Sequence, residues 1–361
     1  MKAAEKFSVK TSPQYTEVYN KNVREENISD MCTEFMKIFG ANINILRHTP
    51  FLIDGLKPGA RRLLYTMWNI YRARHDGNYK KVETIVSNTL ALHPHGPSSV
   101  YDVLVKLGQS WNNLVCPIEP HGNCGSVTGA AAAAGRYLEA RLSFFAYKCF
   151  FEDFDEDTCN MQKSYNGEIL EPEFLPAKYP NVIINNSFGI GYGVMASIPT
   201  FNFKEVCDLT IKLIKNPNLK DVYLIPDIPT GCHVIDDGNF QKACETGKGK
   251  FRMRGEVVID GNTITIKSTP TKTNSDKIKE EILKLVDSGK IPGLDSIEDK
   301  SGGDDGNVVD LKLIFKKEID VKAVEHILYT NTPLQRSEHI SFSVVDDYRF
   351  ENMNMLSLIH I

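Results

Sequence analysis

The sequence predicts an α+β fold, with a helix-turn-helix or winged-helix type first half and a mixed second half. Three observations carry this. Four stretches with helical spacing follow one another within roughly 80 residues near the start, and one of them is basic. After Gly125 the texture changes to short β-branched runs broken by Gly and Asn. Farther on, "GEVVIDGNTITIKST" alternates around an Asp-Gly pair, the signature of a hairpin, and amphipathic helices flank it.

The elements follow in order. "EENISDMCTEFMKIFGANINIL", Glu25 to Leu46, reads as a helix: Ile28, Met31, Phe35 and Ile38 recur near helical spacing, with acids early. "PGARRLLYTMWNIYRARH" reads as a second, opening on Pro58, where a missing N–H costs nothing. Leu63, Leu64, Met67 and Ile70 form its predicted buried stripe. Arg61 and Arg62 fall in its first turn, Arg72 and Arg74 near its end. "KKVETIVSNTLAL" is a third helix. "SSVYDVLVKLGQSW" is a fourth, starting at Ser98 or Ser99 with Asp102 in its first turns. "HPHG", His93 to Gly96, separates these last two. In the second half, "YPNVIINNSFGIGYGVMASIPTFNF" reads as strands and tight turns, and "NFKEVCDLTIKLIKN" as a helix. "SDKIKEEILKLVDSGKI" is an amphipathic helix, and "SGGDDGNVVDLKLIFKKE" a loop feeding a strand. The acidic stretch "FFEDFDEDTC", Phe150 to Cys159, marks the expected boundary between the halves.

A chain of 361 residues has room for two or three domains. Its 42% hydrophobic and 24% charged content is that of an ordinary globular protein. No apolar run is long enough to span a bilayer, and the polar N-terminal segment lacks the apolar centre of a signal peptide. Eight cysteines stand singly with no CxxC pair, so neither a zinc site nor a disulfide framework is suggested. They fit reduced thiols, and a cytoplasmic location is expected. The net charge of −4 speaks weakly against a nucleic-acid partner. The average hides a basic stretch. From Leu56 to Lys81 there are seven Lys and Arg residues and one acid, Asp76. That is either a solvated face or a localised phosphate contact.

Three motifs carry candidate chemistry. "GIGYGV" matches a dinucleotide-binding fingerprint only in part and lacks its context. "HPHG" places two imidazoles two residues apart. With no further ligands evident, it is either a turn with a structural histidine or a pair of rings facing an anion. In "AAAAAGRYLEARLS", Ala130 to Ser143, small residues clear bulk from one spot before Arg136 and Tyr137. Taken alone, that dipeptide reads as a packed aromatic beside a solvated arginine.

Together the ordered stretches "IDGLKPGARRLLYTMW", "LHPHGPSSVYD", "GNCGSVTG…AAAAGRYLEARLS", "LPAKYPNVIINNSFGIGYGVMASIP" and "ETGKGKFRMRGEV" closely resemble the breakage-and-rejoining A subunit of type IIA DNA topoisomerases, bacterial gyrase and topoisomerase IV, from about Glu25 to Val345. The resemblance implies an N-terminal extension over 1–24 and a winged-helix DNA-cleavage domain over 25–155. An α+β tower domain over 156–345 follows. Residues 346–361 would then begin a coiled-coil gate, with that gate and the C-terminal wrapping domain missing. The closing "LSLIHI" reads either as natural helix or as an adapter-encoded tail.

By the same resemblance Tyr137 is the nucleophile that becomes a 5′-phosphotyrosyl ester, and Arg136 steadies the phosphoryl charge. A phenol of pKa about 10 is a weak nucleophile but a tolerable leaving group, so the ester stores the broken bond for rejoining. Arg47, Lys57, Arg61, Arg62, His93 and His95 match DNA-contacting or transition-state positions. Ile198 matches the isoleucine that wedges between base pairs. Ser98 and Asp102 match the anchors of the magnesium–water bridge of fluoroquinolone drugs. No metal site is expected on this chain, because the acidic metal-binding and ATPase motifs are absent. Mg²⁺ and ATP are expected on a partner B subunit in an A2B2 assembly, with double-stranded DNA as substrate and this chain as a homodimer, without a membrane. The expected reaction is ATP-dependent strand passage, altering supercoiling or catenation.

Departures include Ala60 where the family carries histidine, and Cys124 in "GNCGS". Two other readings compete: a catalytically silent DNA-binding or architectural protein of the same fold, and a metal-dependent nuclease using His93 and His95.

Overall fold

The computed structural model describes residues 27–359, apart from 221, 236, 304, 305, 307, 317 and 318. The expected extension over 1–24 and the last two residues lie outside the described ones. The chain divides between Asn42 and Ile43 into two compact units. The described part of the first is helical and belongs to α1 (Ile28–Ile43). The predicted helix is there, but its predicted apolar stripe is open: Ile28, Phe35 and Ile38 are all exposed.

The second unit has α+β content and three hydrophobic cores. One gathers α2 (Pro58–Asn69), α3 (Val82–Thr89) and α4 (Pro97–Gly108) against a three-stranded antiparallel sheet. The sheet order is β1 (Lys80–Lys81), β3 (Glu139–Leu142), β2 (Ile118–His121). Proline opens both α2 and α4, where its fixed φ is already helical. Leu63, Leu64 and Met67 are fully buried, as their spacing predicts. Ile70 is 45% exposed, because the helix stops at Asn69. Arg72 then turns the chain with φ 49°, so Arg72 and Arg74 lie beyond the helix and not within its end. Phe150, Phe151 and Leu175 complete this core.

After α5 (Phe144–Ala146) the small hairpin β4 (Met161–Lys163) and β5 (Leu170–Pro172) leads to a five-stranded sheet. Its order is β6 (Ser187–Ile190), β7 (Met195–Ile198), β14 (Gln335–Ser341), β9 (Lys248–Arg254), β8 (His233–Ile235). α6 (Phe203–Lys215), α7 (Asn239–Thr246) and α10 (Met355–Ile359) join its core. The third core packs α8 (Ser275–Asp287) and α9 (Val321–Asn331) on a four-stranded sheet. That sheet runs β10 (Val257–Asp260), β11 (Thr263–Ile266), β13 (Leu311–Phe315), β12 (Leu294–Asp299). The predicted Asp-Gly hairpin is β10–β11, with Asp260 facing Thr263 and Gly261 at φ +55°, the backbone that a tight primed turn requires. A last hairpin, β15 (Ser343–Asp346) with β16 (Arg349–Asn352), precedes α10.

Candidate functional site

Basic side chains gather around one open cavity of about 570 Å³. Its walls come from the turn after α1, the start of α2, the "HPHG" turn, α4 and the approach to β6. Arg47, Lys57, His93, His95, Lys106 and Lys272 line it. Arg47 sits in a π-helical turn, Asn44–His48, and its Nη2 lies 3.0 Å from His95 Nδ1. The two histidine rings meet edge to face, 4.5 Å between centroids. Arg62 Nη1 is 3.3 Å from His93 Nδ1. The other edge of the Arg62 guanidinium forks onto the buried Glu171, at 2.7 and 2.8 Å. "HPHG" is therefore no isolated turn: each ring meets a guanidinium.

These contacts set the charges. Burial, then His95, Arg62 and Arg47, push His93 down to about 4. Burial, then Arg47 and Arg62, lower His95. His48 is lowered by burial and by Lys57 and Arg47. Burial and Lys106 bring Lys57 down to about 8, and its Nζ donates to Phe188 O at 2.6 Å. Neutral imidazoles among cations form a site short of negative charge, suited to an anion.

Arg136 and Tyr137 stand elsewhere, and neither lines the cavity. Tyr137 is 66% exposed, and the Arg136 guanidinium lies 4.8 Å above its ring. The base beneath them is firmly held. Tyr137 N–H donates to Ala134 O at 2.8 Å. The free N–H groups at the start of α3 are satisfied from this loop, Val82 by Leu138 O at 3.0 Å and Glu83 by Gly135 O at 3.3 Å. Leu138 is buried directly behind the tyrosine. Upstream, Val127 is inserted into the third core and its N–H donates to Gly306 O at 2.6 Å. A phenol thus projects from a fixed backbone with a cation on its face.

Two predicted positions turn out to be buried. Ile198 is fully buried in the core of the five-stranded sheet and does not reach the surface. On the same hairpin Ile190 is 63% exposed, one strand over, where alternation turns it outward. Arg61 faces inward: it is 4% exposed and forks onto Asp54, which is itself fully buried. Ser98 and Asp102 are exposed on the outer face of α4, and Ser99 rather than Ser98 reaches the cavity. Ala60 lines the cavity too. Sequence reasoning missed Asp54, Glu171 and Ile190. Only Ile190 left a signal, the period-two alternation of its strand.

Among the described residues no three His, Cys, Asp or Glu side chains converge as metal ligands. No described helix is long and apolar enough to cross a membrane.

Residues 47–361 match the family of the DNA gyrase/topoisomerase IV A subunit. The A subunit of DNA gyrase from Halalkalibacterium halodurans is 34% identical over 326 residues, 87% of this chain and 38% of that protein. The DNA gyrase A subunit of Clostridium acetobutylicum is 33% identical, covering 91% of this chain and 41% of that protein. That of Staphylococcus epidermidis is 31% identical, covering 95% and 39%. The chain thus spans between 38% and 41% of the length of these relatives. On these matches, and on the ordered motifs that the fold brings around one basic cavity and one exposed tyrosine, the chain belongs to the A-subunit family of DNA gyrase and topoisomerase IV.

Proposed function

We propose that this chain supplies the DNA-breaking and rejoining chemistry of a type II topoisomerase. The carrying observation is Tyr137: exposed, covered on one face by Arg136, on a backbone hydrogen-bonded to α3. Tyr137 Oη attacks a backbone phosphorus. A P–O bond to the tyrosine forms as the P–O3′ bond breaks. The phenolic proton leaves, and the departing 3′ oxygen takes one up. The free 3′-hydroxyl reverses the step without an external energy source. Arg136 stabilises charge growing on the non-bridging oxygens. α2–α4 with their sheet form the winged-helix part, within 25–155, and the rest to 345 the tower. β16 and α10, which pack with the five-stranded sheet, would go with the tower rather than with a gate. The tyrosine stands outside the cavity wall, which favours a site completed between two copies of the chain. Mg²⁺ and ATP would be carried by the B subunit in an A2B2 complex. The cavity holds a second stretch of duplex backbone through Arg47, Lys57, His93 and His95, with Arg62 set behind His93 and fixing its ring. Ser98 and Asp102, exposed on α4, are the drug-anchoring candidates.

The test is direct. With duplex DNA and a B subunit, denaturant-trapped complexes should carry DNA attached at residue 137, read by peptide mapping. Cut DNA with free ends and no attached protein would overturn the proposal.

The charges of the cavity give a pH dependence. An arriving phosphate is the counter-charge that His93 and His95 lack, so binding raises their pKa and takes up protons. Lys57 works in the same direction, losing its charge as pH rises through about 8. Duplex affinity at fixed ionic strength should therefore fall as pH rises through about 8, where Lys57 loses its charge, and proton uptake on binding should be measurable by calorimetry in two buffers. A flat profile would remove these groups from the phosphate site.

Ile190 replaces Ile198 as the proposed wedge. Ile190→Ala should leave affinity within about threefold, because phosphate contacts dominate it, while bending of the duplex is lost. Energy transfer between dyes at the duplex ends reads the bend.

A further inference from the structure

Resting on the reading of the 187–198 hairpin as the duplex-bending element, we infer that Asn44 is a positioning residue that locks this hairpin to the turn carrying Arg47. Its amide brackets the backbone of Tyr192: Nδ2 donates to Tyr192 O at 3.0 Å, and Oδ1 accepts from Tyr192 N–H at 2.8 Å. Asn44 is 6% exposed and stands three residues before Arg47 in the same π-helical turn. A side chain here does the work of a neighbouring strand.

The two glycines beside Ile190 make the contact possible. A Cβ on Gly191 would lie 2.0 Å from Asn44 Oδ1, and one on Gly189 would lie 1.9 Å from His48 O. The exposed Ile190 is thus flanked by two points at which the hairpin rests on the Asn44–His48 turn. The tip itself, Gly191–Tyr192–Gly193, is closed by a turn bond from Gly191 N–H to Val194 O at 2.8 Å, and its two glycines restrict the backbone least. Prising two base pairs apart pushes back on the wedge. An unbraced glycine-rich tip would yield, and the step would stay stacked. With Asn44 in place, Ile190 and Arg47 keep a set separation. The wedge and the phosphate grip then act on the duplex as one body. Asn44 is buried, so it acts through these two residues and not by touching DNA.

The test compares bending with affinity in the full chain reconstituted with a B subunit, on an end-labelled duplex. Asn44→Ala should lose the bend to the level of Ile190→Ala, with affinity changed by less than about threefold. The double variant should be no worse than Ile190→Ala alone, because both act on one event. Gly191→Ala keeps Asn44 but forces the two apart, and should give the same loss; it decides the matter if melting shows that Asn44→Ala does not fold. Wild-type bending in a folded Asn44→Ala or Gly191→Ala protein overturns the inference, as do losses that add in the double variant. If wild type and Ile190→Ala bend DNA equally, the wedge reading itself falls. If Ile190→Ala abolishes the bend and Asn44→Ala does not, only Asn44 falls.

Discussion

Replacing Tyr137 by phenylalanine should abolish the covalent DNA adduct and leave duplex binding in place. The substitution removes one oxygen from a side chain that is 66% exposed, so no core contact is lost. Its backbone anchors, Tyr137 N–H to Ala134 O and the two α3 bonds through Gly135 and Leu138, do not involve the phenol oxygen. The ring stays beneath Arg136, whose contact is with the aromatic face. Stability and affinity should both hold. Adduct formation should drop by at least about a thousandfold, the scale on which losing a nucleophile costs an enzyme its chemistry. Arg136→Gln should fall short of that, because it weakens charge stabilisation and leaves the nucleophile; a cost of roughly a hundredfold is the scale of one lost donor to a developing oxyanion. Gel-resolved adducts on labelled duplex, trapped with denaturant, measure both. Cleavage that survives in Tyr137→Phe would mean another group attacks the phosphate. A protein that binds but never forms an adduct, even with the native tyrosine and a B subunit, would be the silent DNA-binding protein.

Much of this was legible in the residues because it is local. The start of α2 at Pro58, its Leu63–Leu64–Met67 face and the β10–β11 turn at Gly261 follow from backbone preference and period. The proposed nucleophile was legible only through an ordered set of motifs, since Arg136-Tyr137 alone is a common pair. What stayed hidden depends on distant partners. Arg61 and Arg62 are adjacent in the same basic run, yet α2 aims one inward at Asp54 and the other at Glu171, more than a hundred residues on. Charge patterning cannot make that distinction. Ile190 and Ile198 lie on paired strands of one hairpin, and which is buried depends on the sheet that β14 completes. The open stripe of α1 shows the converse: period predicts a helix, and only tertiary packing decides whether its apolar face is covered.

Arg61→Ala should unfold the chain far more readily than it weakens DNA binding. Asp54 is fully buried, and its carboxylate accepts bonds from both sides. Two come from Arg61, Nε at 2.6 Å and Nη2 at 3.0 Å. The others come from the backbone N–H groups of Leu56 at 3.0 Å and Leu175 at 3.1 Å. The Arg61 guanidinium also lies 4.7 Å from the Phe51 ring centre and 5.5 Å from that of Phe174. Removing it strands a carboxylate with no route to water, a loss of roughly 3–5 kcal/mol. Asp54→Asn strands the guanidinium instead and should cost a similar amount. Replacing both by apolar residues should not restore stability fully, because the Leu56 and Leu175 N–H groups would then lose their acceptor. Urea denaturation of the three variants measures this ordering. Lys57→Met, which removes a cavity cation outside this cluster, should instead lower duplex affinity with only a small change in melting. If Arg61→Ala melts like the wild type and loses affinity as Lys57→Met does, then Arg61 belongs to the DNA-facing set after all. The inward pair would then carry little of the stability its geometry implies.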